Sequence, residues 1–159
     1  MQERDRNDPQ MLLAAKKHFV RAAETLVDSS HPDPAGTVRT LHLMMNVEIE
    51  MSYNRGLSID QRLSHLQEAK VYSQKALEYA LKSSRTGDAP LVQLYQAIVF
   101  GREAEVLGNR LPRSEAHSRK EEAVQAITRA LRELSKLKTP EVDKHYAWTQ
   151  RWQVRFSQT

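Results

Sequence analysis

The chain of 159 residues contains no cysteine. That removes disulfides, thiolate catalysis and Cys-based zinc sites together, and it fits a reducing compartment, so the expected location is intracellular, cytoplasmic or nuclear. Glycine is scarce at 5 residues, and no Gly-rich phosphate loop, GxSxG elbow or GxGxxG turn is present. The simplest routes to nucleotide hydrolysis and dinucleotide binding are therefore missing. No stretch approaches the roughly 18 uninterrupted apolar residues of a membrane span. The N-terminal MQERDRNDPQ lacks the apolar core of a signal peptide.

Histidine is present but not in metal-binding order. The six, at positions 18, 31, 42, 65, 117 and 145, form no HExxH. His117 with Glu121 and His42 with Asn46 read as solvated i,i+4 helix pairs. Glu48 and Glu50 stand two apart, so on a helix they diverge and make a poor acid–base dyad. The reading is a protein that is not an enzyme and uses no cofactor and no metal.

What the chain does have is helix grammar. Ala, Leu, Glu, Lys, Arg and Gln dominate, and the prolines at 9, 32, 34, 90, 112 and 140 all fall where a helix can begin or end. Asp8-Pro9, Asp33-Pro34 and Thr139-Pro140 each couple an N-cap residue to a proline at the first helical position. Ser58-Ile59-Asp60-Gln61 has the form of a capping box and follows Gly56, a candidate left-handed stop. Gly87-Asp88 ends one helix and caps the next, and Gly108 to Pro112 marks a further break. Six helices are expected, over residues 9–29, 34–55, 59–85, 89–108, 113–138 and 140–157. Short connections make successive helices antiparallel neighbours. Residues 1–8 are expected to be a disordered leader and residues 9–159 a single all-α domain.

A repeat runs through this domain. Ala15, Phe19 and Ala22 recur 54 residues later as Ala69, Ser73 and Ala76, and 54 later again as Ala123, Ile127 and Ala130. Positions i, i+4 and i+7 share a helix face, so each triplet is a stripe that lets a neighbouring helix approach closely. A second stripe of small residues, Ala97, Gly101, Ala104 and Gly108, points to another close crossing, because mid-helix glycine costs about 1 kcal/mol relative to alanine.

The triplets resemble the second helix of the tetratricopeptide repeat, with its Ala-x3-large-x2-Ala pattern. Ala15-Phe19-Ala22 and Ala123-Ile127-Ala130 follow it, while Ser73 stands at the large position of the middle copy. The family period is about 34 residues, so a step of 54 implies lengthened helices. The resemblance implies antiparallel helical hairpins stacked as a short array, with residues 9–29 as a second helix and 140–157 as a final first helix. A nonrepetitive helical bundle is the alternative fold. Microtubule-interacting and trafficking modules share the Ala-rich antiparallel packing.

The net charge of +4 is confined to the last third, where residues 110–159 carry 11 basic and 6 acidic side chains. Within it, the segment Lys144 to Phe156 sets His145, Trp148, Trp152 and Phe156 on one stripe beside Lys144, Arg151 and Arg155. Three uses follow: an aromatic stripe packed on helix 113–138, an interaction helix with Trp and Arg as hot spots, or a surface that stacks bases and contacts phosphates. Partner binding is assigned to Lys144, Trp148, Arg151, Trp152 and Arg155. The leading expectation is a noncatalytic scaffold or adaptor that takes a partner peptide or helix in a helical groove or on its last helix. A nucleic-acid-binding domain and a dimerising regulatory bundle are the alternatives, so nucleic acid and a homo-oligomer stay open beside a protein partner. Met44, Met45 and Met51 are candidates for core filling or for an adaptable groove.

Overall fold

The structure, a computed structural model, describes residues 8–28, 33–137 and 140–158; for residues 27–28 and 140–148 it describes the backbone alone. The expected leader falls almost wholly outside the described residues, as does Thr139. The fold is all-α. Six α-helices run α1 (Pro9–Asp28), α2 (Pro34–Met51), α3 (Ile59–Lys82), α4 (Asp88–Leu107), α5 (Arg113–Ser135) and α6 (Pro140–Ser157), with a short 3-10 turn at Gly108–Arg110, and there is no strand among the described residues.

Side-chain caps explain the first three starts. Asp8 Oδ1 accepts from the Gln10 amide at 2.9 Å, and Asp33 Oδ1 accepts from the Gly36 amide at 3.0 Å. At α3 the capping box is complete: the Gln61 amide donates to Ser58 Oγ at 3.2 Å and the Ser58 amide to Gln61 Oε1 at 2.9 Å. At α4 the N-cap residue is Gly87 and makes no side-chain cap, so Asp88 serves the helix as an acidic first-turn residue instead.

Three helices end three or four residues earlier than expected. α2 stops at Met51 rather than at 55, because the amides of Tyr53 and Asn54 turn to carbonyls three residues back, Glu50 and Met51. The Asn54 side chain then accepts the Gly56 amide at 2.9 Å. This Asx turn does the work expected of a left-handed Gly56; Gly108, at φ 46, is the positive-φ glycine. α3 ends at Lys82 rather than 85, where Ser83 goes extended, and α5 at Ser135 rather than 138, where Lys136 and Leu137 close on carbonyls three back.

The chain divides into two compact units, meeting between Arg85 and Thr86. In the first, α1 packs on α2 and α2 on α3. Late α1 meets early α2 (Ala23 near Thr37), and late α2 meets early α3 (Glu48 on His65), so both pairs are antiparallel. α2 is apolar nearly all round and correspondingly buried, with Met45 at 0 % exposure and Ile49 at 1 %. Burying each such side chain stabilises by about 1.5–3 kcal/mol.

In the second unit α4 packs on α5 and α5 on α6. Gly87 lies against Leu137, an antiparallel arrangement of α4 and α5, while Gly101 lies against Phe156 and Glu105 binds Arg155, so α4 and α6 run parallel.

The 54-residue interval is written into the element boundaries. α4 begins at Asp88, 54 after Pro34 of α2, and α5 begins at Arg113, 54 after Ile59 of α3. The triplets of α3 and α5 lie at equivalent places: Ala69, Ser73, Ala76, Ala123, Ile127 and Ala130 are all buried. The first triplet departs. Ala22 is exposed and Ala15 and Phe19 are half-buried, because α1 packs on α2 through the neighbouring face that carries Ala23.

Candidate functional site

The most polar place in the first unit is a carboxylate. Glu48, on the inward face of α2, has no solvent exposure, and its two oxygens meet nitrogen groups from two other helices. Lys16 Nζ of α1 lies 2.5 Å from Oε1, and His65 Nδ1 of α3 lies 2.6 Å from Oε2. A carboxylate only accepts here, so the proton of this contact sits on His65 Nδ1. Lys16 also stands 5.9 Å from the centroid of the Tyr72 ring.

Desolvation pulls the Lys16 ammonium downward, but the close contact and charge of Glu48, helped by Tyr72 and Glu68, outweigh it and leave the pKa above the ordinary 10.5. Tyr72 is also raised above 10.0, first by burial and then by the charges of Glu48 and Glu68, against the opposing pull of Lys16. Lys16 is thereby held as a cation and Tyr72 as a phenol at neutral pH. A lysine kept charged is no nucleophile, and a carboxylate held against an ammonium and an imidazole N–H is a weak base. The cluster ties three helices together. Spacing along the chain gave no hint of it, because Lys16, Glu48 and His65 come from separate elements.

Beside it, Tyr72 opens onto a groove of about 420 Å³ bordered by α1, α2 and α3. Its floor is Thr37, Leu41 and Met44, and its walls include Val20, Tyr72 and Tyr79, with Glu24, Lys75 and Glu78 at the rim. Met44 thus serves both roles considered for it: it is 3 % exposed and it still faces the groove. Met45 and Met51 are buried core residues.

The second unit has a groove of about 480 Å³ between α4 and α5, lined by Ala97, Phe100, Ala126, Arg129 and Glu133 among others. Tyr72, Lys75 and Tyr79 of α3 stand 54 residues before Ala126, Arg129 and Glu133 of α5. The same helix face lines a groove in each unit, largely aromatic in the first and polar in the second.

The last helix separates the residues assigned to partner binding. Trp152 is 7 % exposed and Phe156 1 %, with ring centroids 5.4 Å apart, and Thr149 is fully buried beside them. This stripe reaches α4 as well as α5, since the Phe156 ring lies on Gly101. Trp152 belongs to the interior and is not presented for stacking on a base or a partner. Arg155 Nε donates to Glu105 Oε2 at 2.7 Å and its guanidinium stands 5.8 Å from the Trp152 ring, while Arg102 reaches the same carboxylate oxygen at 3.4 Å. Arg151 is exposed, beside half-exposed Val154. The side chains of Lys144 and Trp148 lie outside the described residues.

The basic surplus of the last third is partly matched as well: Arg119 pairs with Glu115 at 2.8 Å and Lys136 with Glu133 at 2.9 Å. No group of three His, Asp or Glu side chains able to hold a metal occurs among the described residues, and no helix among them is long and apolar enough to cross a membrane. No protein-family model, curated protein or solved structure matches the chain.

Proposed function

We propose that this protein is a noncatalytic interaction scaffold: a helical-hairpin repeat of tetratricopeptide-like kind, acting inside the cell, that binds a partner peptide or helix through its grooves. The observation that carries the reading is the recurrence of an open groove on the equivalent face of α3 and α5, 54 residues apart. A side-chain stripe that merely filled a core would be covered at both places. Tyr72 and Tyr79 supply amphipathic aromatic contact area of the kind that anchors peptides at little entropic cost. Met44 adds an adaptable floor. The mode is docking of a helix or an extended segment into a preformed surface.

A photo-crosslinking phenylalanine analogue at Tyr79, in the intact chain expressed in cells, tests this. Irradiation is expected to trap a defined partner, and Tyr72→Ala in the same chain is expected to abolish the adduct. Adducts identical to those from the analogue at Arg119, or adducts indifferent to Tyr72→Ala, would end the groove reading.

A further inference from the structure

The first and last helices are anchored to different depths. Among the described side chains of α1, Ala23 alone is buried, while Leu12, Phe19, Val20 and Leu26 are half-buried. α6 sinks Thr149, Trp152 and Phe156 into its own unit within about two turns. The polar hold on α1 is Lys16, which lies on Glu48 and beside Tyr72. One small side chain and one lysine therefore carry much of the attachment of α1 to α2 and α3.

A helix makes its backbone hydrogen bonds within itself, so its release breaks only side-chain contacts. Segments with few buried apolar contacts open at a cost well below that of global unfolding. What lies under α1 is the groove of the first unit. Thr37, Leu41 and Met44, all buried, make its floor, and Val20, Ala23 and Glu24 of α1 make one wall. The position of α1 thus sets how wide that groove stands.

We propose that α1 is a gate: it comes off α2 and α3 as one unit while they stay folded, and its release opens the Tyr72–Tyr79 groove to the partner segment. The gate rests on the scaffold reading for what enters, and it adds how entry is regulated. The Lys16–Glu48 pair acts as the clasp. When α1 leaves, Glu48 Oε1 meets water where Lys16 stood, while Oε2 keeps His65. No carboxylate is left buried and unpaired, which is the costly outcome when such a pair breaks inside a core.

Hydrogen exchange of the intact chain, followed by mass spectrometry at neutral pH, tests the gate without any partner. A released helix of this length is marginal in water, so its amides become exposed together. Amides of α1 beyond its first turn are expected to exchange at one common rate, about tenfold or more above those of α2, α3 and α6 and nearly insensitive to low urea. Ala23→Glu, which sets a charge in the α1–α2 contact, is expected to strip protection from α1 while α2 and α3 stay protected. Three results overturn the gate: protection of α1 equal to that of α2 and α3, a rate that grades inward from Pro9 as in end fraying, or joint loss of protection in all three helices of Ala23→Glu. Lys16→Met ties the gate to the groove, because Lys16 is not among the groove's lining residues. It is expected to raise both α1 exchange and the yield of the Tyr79 photo-adduct, and an unchanged yield beside faster exchange also overturns the gate. If α1 exchanges as expected and no adduct forms in either chain, the groove reading fails and α1 stands as a releasable helix.

Discussion

The ring of Phe156 occupies the space that a side chain at Gly101 would need. A β-carbon built on Gly101 would lie 2.6 Å from Phe156 Cζ, far inside van der Waals contact. Glycine in the middle of α4 thus lets α6 come against α4 with an aromatic ring between them.

The usual sign of a helix substitution should therefore invert here. Gly→Ala within a helix ordinarily stabilises by roughly 0.5–1 kcal/mol, but Gly101→Ala is expected to destabilise in urea unfolding, because the ring and its helix must shift. Phe156→Ala should cost about 3–5 kcal/mol as a buried aromatic truncation. Gly101→Ala should be far less harmful in the Phe156→Ala background, where the space is vacant. A stabilising Gly101→Ala in the parent chain would contradict the packing.

Trp152 and Arg151 are neighbours with opposite fates. Trp152→Ala should lower stability by about 3–5 kcal/mol, as truncation of a buried tryptophan does, whereas Arg151→Ala should stay within about 0.5 kcal/mol of the parent. Chemical denaturation of the two variants decides it. Equal, small effects would mean that α6 does not use Trp152 as core.

Removing one cation from Glu48 leaves a buried carboxylate under-compensated. Lys16→Met is expected to cost about 2–4 kcal/mol, somewhat below the loss usual for a broken buried pair because Lys16 is partly exposed and His65 remains. Glu48→Leu should cost less than the sum of Lys16→Met and His65→Leu, since it removes the buried charge itself. A Lys16→Met chain as stable as the parent would show the pair to be incidental.

The same cluster sets an alkaline limit. Lys16 and Tyr72 have folded pKa values raised above 10.5 and 10.0 respectively. A raised folded pKa contributes stability that is fully present below the unfolded value and is lost as pH rises through the folded one. Stability of the first unit should therefore hold up to about pH 10 and fall above it, and Lys16→Met should flatten that fall. Urea midpoints measured from pH 8 to pH 11.5 check this, and a parent curve no steeper than that of the variant would refute it.

Much of the local structure was legible in the residues because caps and breaks act over three or four positions. Asp33-Pro34, the Ser58–Gln61 box and the Gly108 stop all stand where their chemistry requires. The 54-residue interval was legible for a related reason: a helix face has a fixed spacing, and the same stripe at Ala69 and Ala123 solves the same packing problem twice. Gly56 misled because a side chain from outside the pattern, that of Asn54, made the turn instead.

The sequence by itself determined the six helices, the capped starts of α1, α2 and α3 and the equivalence of α2–α3 with α4–α5. Only the tertiary structure decided that Trp152 turns inward, that Glu48 finds Lys16 and His65, and that Ala22 stays open while Ala76 and Ala130 do not. The physical reason is range. Capping and periodicity are settled within a turn or two of helix, whereas burial depends on which other helix arrives at a face, and residues distant along the chain supply that helix.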